Sequence, residues 1–229
     1  MGFADRYNFT CEIPMDWVGR KIFKINNPGI SKHLKHCPLD FIPNEDQIKL
    51  FPEGINFFGY YQFQDALNFY NVNKVLNWFE FQPWVLEKFP RPEAEYTACH
   101  LRRGDYLNLQ HCFCIPTNAS YHRMLESLQI KMPVKWISEE KPKVDLELEA
   151  RGLGFLPDFM QLYHASILLR SNSTFSWWAA TLAQNNVLSP IVEDKLGIQD
   201  VEFGFGNWPR MADSKHHAAK MTDLTLRYL

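Results

Sequence analysis

The sequence predicts an α/β fold carrying a parallel, Rossmann-like sheet, and three features predict it. From Tyr96 onward, short apolar runs alternate with segments of helical spacing. Strands separated by single helices pair in parallel, each reached by a crossover. Serine, arginine and acidic residues then gather where three of these strands stop, on the carboxyl edge at which open parallel sheets take their ligands. Ahead of Tyr96 the pattern is looser, and Arg91-Pro92-Glu93 has the composition of a junction. Two domains follow, residues 1–92 and residues 93–229.

In the first domain, Phe3-Ala4-Asp5-Arg6-Tyr7 reads as the last turn of a helix, with no start signal before Phe3. The domain is therefore expected to be truncated at its N-terminus. An extended stretch over 9–14 follows. The region over 26–56, rich in Asn, Pro, Asp and His, reads mostly as loop, with Asn26-Asn27-Pro28-Gly29 a turn. The aromatic run 57–62 reads as a strand, and a helix starts at about Asp65. A further helix spans 72–89 until Pro90 and Pro92 end it.

The second domain opens with a strand over 96–102. A helix over 121–129, a strand over 134–138, a helix over 157–165, a strand over 167–170, a helix over 174–183 and a strand over 187–189 continue the alternation. The last helix is the best specified. Phe175, Trp178, Ala179 and Leu182 fall at i, i+3, i+4 and i+7 and share one face. Ser171-Asn172-Ser173-Thr174 supplies hydroxyls that can cap the unpaired N–H groups of its first turn. Those N–H groups and the positive end of the helix dipole also suit a phosphate.

Composition narrows the function. A chain of 229 residues, 46% hydrophobic and 15% aromatic, can build a proper core. A formal charge of −2 and the absence of any Lys/Arg-rich run set aside a nucleic-acid groove, whose affinity comes from neutralising phosphates. No apolar run reaches the roughly 18 residues of a membrane span. The N-terminus lacks a basic region followed by an apolar core, so the chain is expected to be cytoplasmic, with no transmembrane segment. Cys11, Cys37, Cys99, Cys112 and Cys114 form an odd, scattered set that suits a reducing compartment better than a disulfide framework. His111-Cys112-Phe113-Cys114 with His122 lacks the second cysteine pair of a zinc site, and no metal is expected. The glycosylation patterns at Asn8, Asn118 and Asn172 carry little weight without a secretory signal.

The chemistry sits at the strand ends. At the first, His100-Leu101-Arg102-Arg103-Gly104-Asp105-Tyr106 packs three basic groups, an acid and a glycine into one turn. On an extended chain His100 and Arg102 project to one face and Arg103 to the other, so one arginine can point into a cleft while the other braces the turn. A guanidinium fork suits a pyrophosphate, Asp105 can hold an arginine by an ion pair, and Gly104 permits a close approach. At the second, Ser138-Glu139-Glu140 brings acids to the same crevice, where a carboxylate can accept from a base N–H or a ribose hydroxyl. At the third lie Ser171, Asn172, Ser173 and Thr174. The ordinary alternatives are a surface Arg–Asp pair, a solvated acidic loop and a plain helix cap. No Asp-x-Asp occurs in the chain. A nucleotide-sugar enzyme built this way neutralises its pyrophosphate with Arg102 and the helix N-terminus rather than with a chelated cation. Phe57, Phe58, Tyr60, Tyr61, Trp78 and Trp84 could stack on sugars but read mostly as core.

Taken together, His100-Leu101-Arg102-Arg103-Gly104-Asp105-Tyr106 and Ser171-Asn172-Ser173-Thr174-Phe175-Ser176-Trp177-Trp178-Ala179-Ala180 resemble two signature motifs of the α-1,2-fucosyltransferase family, family 11 type. Trp136-Ile137-Ser138-Glu139-Glu140 resembles, less closely, the family's intermediate F-S-D-D motif. The similarity runs over 60–210 and includes Asp200-Val201-Glu202 and Asn207-Trp208-Pro209. The resemblance implies a GT-B fold of two Rossmann-like domains with parallel sheets. It implies metal-independent, inverting transfer of L-fucose from GDP-fucose, the donor substrate, to a galactose-terminated glycan acceptor, with no further cofactor. By the same resemblance Arg102 grips the diphosphate, His100 sits beside the nucleotide and Ser173-Thr174 cap the phosphates. Arg103, Ser138, Ser171 and Asn172 complete the donor site, and the catalytic candidates are Arg102, Asp105 and Glu139.

Membership would also allow a peripheral position at a membrane. The family's amino-terminal G-R-L-G-N-Q-x-F-Q motif is absent, and Glu139-Glu140 stand where the family has paired aspartates. The proton acceptor stays open among Asp105, Glu139 and His111, and a weak base suffices if the acceptor hydroxyl is deprotonated late. These motifs read diphosphate more than sugar. Another nucleotide sugar on the same fold, or a carbohydrate- or nucleotide-binding module without catalysis, are therefore the alternatives.

Overall fold

The computed structural model describes residues 13, 16–25, 35–38, 55–58, 72–140, 144–192 and 194–207. The helix expected over 3–7 and the one starting near Asp65 lie outside the described residues, as does nearly all of the extended stretch over 9–14. The chain divides into two compact units between Glu80 and Phe81, on the N-terminal side of the junction at Arg91-Pro92-Glu93. Among the described residues no helix is long and apolar enough to cross a membrane.

In the first unit, β1 (Lys35–Pro38) and β2 (Ile55–Phe58) pair in parallel, Lys35 opposite Ile55 and Pro38 opposite Phe58. β1 lies inside the stretch read as loop, because Lys-His-Cys-Pro has no apolar alternation to announce a strand. Trp17, Phe23 and Phe79 form an aromatic cluster, the Phe23 and Phe79 rings meeting edge to face at 5.3 Å. The helix expected over 72–89 is instead two, α1 (Val72–Trp78) in this unit and α2 (Pro83–Lys88) in the second. Pro83 explains the break. It has no N–H to donate, its ring would strike the carbonyl of Phe79, and it pushes Gln82 to ψ 144°. The same proline is favourable at the first position of the new helix.

The second unit contains β3 (Thr97–Leu101), β4 (Cys114–Pro116), α3 (Asn118–Ser127), β5 (Val134–Ser138), α4 (Leu146–Ala150), α5 (Leu156–Tyr163), β6 (Ile167–Leu169), α6 (Thr174–Ala183), β7 (Asn186–Pro190), β8 (Gly197–Gln199) and β9 (Phe203–Phe205). Its main sheet runs β5-β3-β6-β7-β9, the first four mutually parallel and β9 antiparallel to β7. The α/β class and the parallel pairing thus match the sequence reading. β4 and β8 form a separate parallel pair. These two strands, β9 and α4 have no counterpart in the reading, since three to five residues are too few to show a period.

Helices cover both faces of the sheet. Cys99 and Leu101 point toward α3, joining Tyr121, Leu169 and Leu188 in one buried cluster packed by Met124, Leu125 and Leu128. Ala98 and His100 alternate to the other face, where Phe175 of α6 meets the His100 ring at 5.6 Å. Phe159 of α5 packs on Phe175 at 5.4 Å. Because both faces are covered, every residue of β3 is buried. The order also places the switch point. From β3 the chain moves outward to β5, then returns past β3 to β6, so the crossovers diverge between β3 and β6, where open parallel sheets hold ligands beyond their carboxyl ends.

Candidate functional site

The three strand ends singled out by sequence come together at this switch point. Across β3 and β6, His100 Nδ1 lies 2.8 Å from Ser171 Oγ. Across β3 and β5, Arg102 Nη1 lies 2.7 Å from Glu139 Oε1. His100 is itself buried, and its carbonyl accepts from the Tyr121 hydroxyl at 2.8 Å. Burial, with the charges of Arg102 and Arg170 adding to it, pushes its pKa from 6.5 down to about 3. The imidazole is therefore neutral at any working pH and offers a hydrogen bond, not a charge.

The two arginines have different partners. Arg103 braces the turn, donating from Nη1 to the Pro116 carbonyl at 2.8 Å and from Nη2 to Asn118 Oδ1 at 2.7 Å. Arg102 sits between two carboxylates, with Asp105 Oδ1 2.7 Å from Nη2 and Glu139 on Nη1, while its guanidinium lies 5.2 Å from the Tyr106 ring centre. Tyr106 is stacked on Phe113 at 4.2 Å. Glu139 Oε2 also accepts from the Arg103 backbone N–H at 3.2 Å. A Cβ on Gly104 would stand 3.1 Å from Glu139 Cγ and Oε1, so glycine there is a matter of close approach. Asp105 and Glu139, the candidate bases, are both engaged with Arg102, and His111 is exposed in the turn beyond. Ser138 closes the β5 exit by accepting the Glu140 N–H on its hydroxyl at 3.3 Å.

At the β6 exit Ser171, Asn172 and Ser173 are buried. Ser173 caps α6, its Oγ accepting from the Phe175 N–H at 3.3 Å, and Ser176 Oγ donates back to the Ser173 carbonyl. Thr174 is the first residue of the helix. The buried Nδ2 of Asn172 has no hydrogen-bond partner among the described residues. An unspent buried donor beside a helix N-terminus suits an anionic or carbonyl-bearing ligand.

Arg170 was not singled out by sequence. It is buried, donates from Nε to Ser189 Oγ at 2.6 Å and from Nη1 to the Ser171 carbonyl at 3.3 Å, and burial lowers its pKa to about 10. The available signal is its position, an arginine directly after Ile167-Leu168-Leu169 in a strand covered on both faces. Among the described residues no group of three or more His, Cys, Asp or Glu comes together to hold a metal ion. Of the glycosylation patterns, Asn172 is buried, Asn118 is bonded to Arg103, and Asn8 lies outside the described residues.

No family model, curated protein or solved structure matches the chain.

Proposed function

We propose that the switch point between β3 and β6 is a nucleotide-diphosphate-sugar donor site, and that the chain is a glycosyltransferase of the α-1,2-fucosyltransferase type with a two-domain GT-B plan. It moves L-fucose from GDP-fucose to a galactose hydroxyl of a glycan, with inversion and without a metal. The observation that carries this reading is the meeting of the two signature stretches, distant in sequence, through the His100–Ser171 hydrogen bond at the carboxyl edge of a parallel sheet.

In this reading Arg102 binds the β-phosphate and stabilises the charge that grows on the departing GDP. The N–H groups at the start of α6 and the Asn172 amide meet the same diphosphate from the other side. His100 and Ser171 hold the nucleotide by neutral hydrogen bonds. The acceptor oxygen attacks from the face opposite the diphosphate and gives its proton late to a carboxylate, Asp105, once it leaves Arg102. That both carboxylates are engaged favours a second reading, a donor-binding module that does not turn over.

Calorimetric titration with GDP, GDP-fucose, UDP and UDP-galactose, with and without chelator, tests the proposal. GDP and GDP-fucose are expected to bind in preference to the uridine compounds, and Arg102→Ala to weaken them at least about tenfold with the unfolding midpoint retained. Fucose transfer to a galactose-terminated acceptor then separates the enzyme from the binding module. Equal binding of UDP compounds would point to another sugar, and no nucleotide binding at all would overturn the site.

A further inference from the structure

We propose that the two carboxylates on Arg102 have opposite roles: Glu139 is the fixed support that aims the guanidinium, and Asp105 is a displaceable partner whose place an incoming diphosphate takes. This deepens the donor-site reading and rests on it. Glu139 reaches the turn from the neighbouring strand and touches three consecutive residues of it. One oxygen pairs with Arg102, the other accepts the Arg103 N–H, and its stem packs where a Gly104 side chain would go. Its side chain is 29% exposed. Asp105 belongs to the turn itself, is 55% exposed and meets Arg102 with Oδ1 2.7 Å from Nη2.

The geometry of the guanidinium separates the two further. Nη2 and the Nε–H lie along one edge of the planar group, the fork that a phosphate or carboxylate can take bidentately. Asp105 lies on Nη2, and the buried Nε has no hydrogen-bond partner among the described residues. Glu139 lies on Nη1, and the Tyr106 ring, itself stacked on Phe113, lies beside the guanidinium. The support and the ring can stay while the fork edge changes occupant. With both carboxylates in place the charge of Arg102 is more than neutralised, so an anion gains from this guanidinium only when one of them yields. The more exposed and less tethered one is Asp105.

The test is calorimetric titration of the full chain with inorganic pyrophosphate and with GDP, comparing wild type with Asp105→Asn, Glu139→Gln and Gly104→Ala and recording each thermal midpoint. Asp105→Asn is expected to bind both ligands about fivefold tighter, the scale of one exposed ion pair relieved. Glu139→Gln is expected to bind them about tenfold weaker, the scale by which a charged hydrogen bond exceeds the neutral one an amide oxygen makes. Both substitutions remove one negative charge, so plain Coulomb attraction would tighten both, and opposite signs mark the division of roles. Gly104→Ala changes no charge and is expected to weaken binding by displacing Glu139, a shift that altered charge cannot produce.

Shifts of one sign in Asp105→Asn and Glu139→Gln, in a protein whose wild type prefers GDP, overturn the two roles and leave the donor site standing. Tighter pyrophosphate binding by Asp105→Asn without any preference for GDP supports the displaceable partner and sinks the donor reading. No binding in any variant overturns both. Should Glu139→Gln fail to fold, the proposal falls unless Asp105→Asn tightens binding and Gly104→Ala weakens it.

Discussion

The carboxyl edge of one sheet is finished in two different ways. At the β3 and β5 ends the turn is made of charges, Arg102 between Asp105 and Glu139, all part-exposed. At the β6 end it is made of hydroxyls and an amide, Ser171, Asn172 and Ser173, all buried and running straight into a helix. The difference shows how an anion site divides its needs. Exposed charges can rearrange and attract, but water and salt weaken them. Buried neutral donors cannot rearrange, and they fix shape in a place where an unmade hydrogen bond is expensive. His100 joins the two halves, as part of the charged turn's strand and the hydrogen-bond partner of the buried one.

Arg170 is the exception on the buried side, and removing it is the largest way to break the contrast. Its guanidinium ties Ser189 on β7 to the Ser171 carbonyl at the β6 exit. Arg170→Ala is expected to destabilise the chain by about 3 kcal/mol in urea unfolding, through lost charged hydrogen bonds and the space left behind. Arg170→Met keeps the length and removes the buried charge, and is expected within about 1 kcal/mol of wild type. If alanine were as well tolerated as methionine, the buried exit would not depend on this arginine for its shape.

Acid separates the two halves next. The His100 pKa falls from 6.5 to about 3 in the folded chain, by burial first and by Arg102 and Arg170 second. A depressed histidine pKa means that the unfolded chain takes up the proton first, so stability is full above pH 6.5 and is lost as pH drops toward 3. At pH 5 the loss from His100 is about 2 kcal/mol. His164 is shifted in the same direction, also mainly by burial, and stays in place when His100 is replaced. Urea midpoints of wild type and His100→Gln at pH 7 and pH 5 therefore isolate the His100 share. Wild type is expected to lose more on acidification, and equal losses would mean that His100 is not held neutral in the native state.

The same contrast explains how much the sequence made legible. The buried exit announced itself, because Ile167-Leu168-Leu169, the serine cluster and the apolar stripe of α6 are local patterns, and strand, cap and helix all formed where those patterns lie. The charged turn was legible as a cluster, and Arg103 and Gly104 took the bracing and close-approach roles that spacing and residue type suggested. What spacing could not supply was pairing across strands. Nothing local says that Glu139, just past β5, meets Arg102, just past β3, since that depends on the β3–β5 register, Leu101 opposite Ser138. Arg170 escaped for the opposite reason. A polar residue after an apolar run reads as the end of burial, whereas here Arg170 stays buried, bonded to Ser189 and the Ser171 carbonyl. The break between α1 and α2 was available at Pro83 and was overridden by the apolar residues on either side.

The smallest effect sharpens the contrast most cleanly. Ser173→Ala removes the hydroxyl that receives the Phe175 N–H at the start of α6 and leaves charge untouched. Loss of a helix cap is expected to cost about 1 kcal/mol. Because the group is buried and neutral, that cost should be the same in low salt and in 1 M salt, a concentration at which screening reaches within about 3 Å of a charge. Asp105→Asn behaves in the opposite manner, its modest effect on stability shrinking as salt rises. Unfolding free energies of both variants across the salt series check this. A salt-dependent Ser173→Ala would mean that the buried exit is wetter and more electrostatic than its burial implies, and the division between a charged half that rearranges and a neutral half that holds shape would not stand.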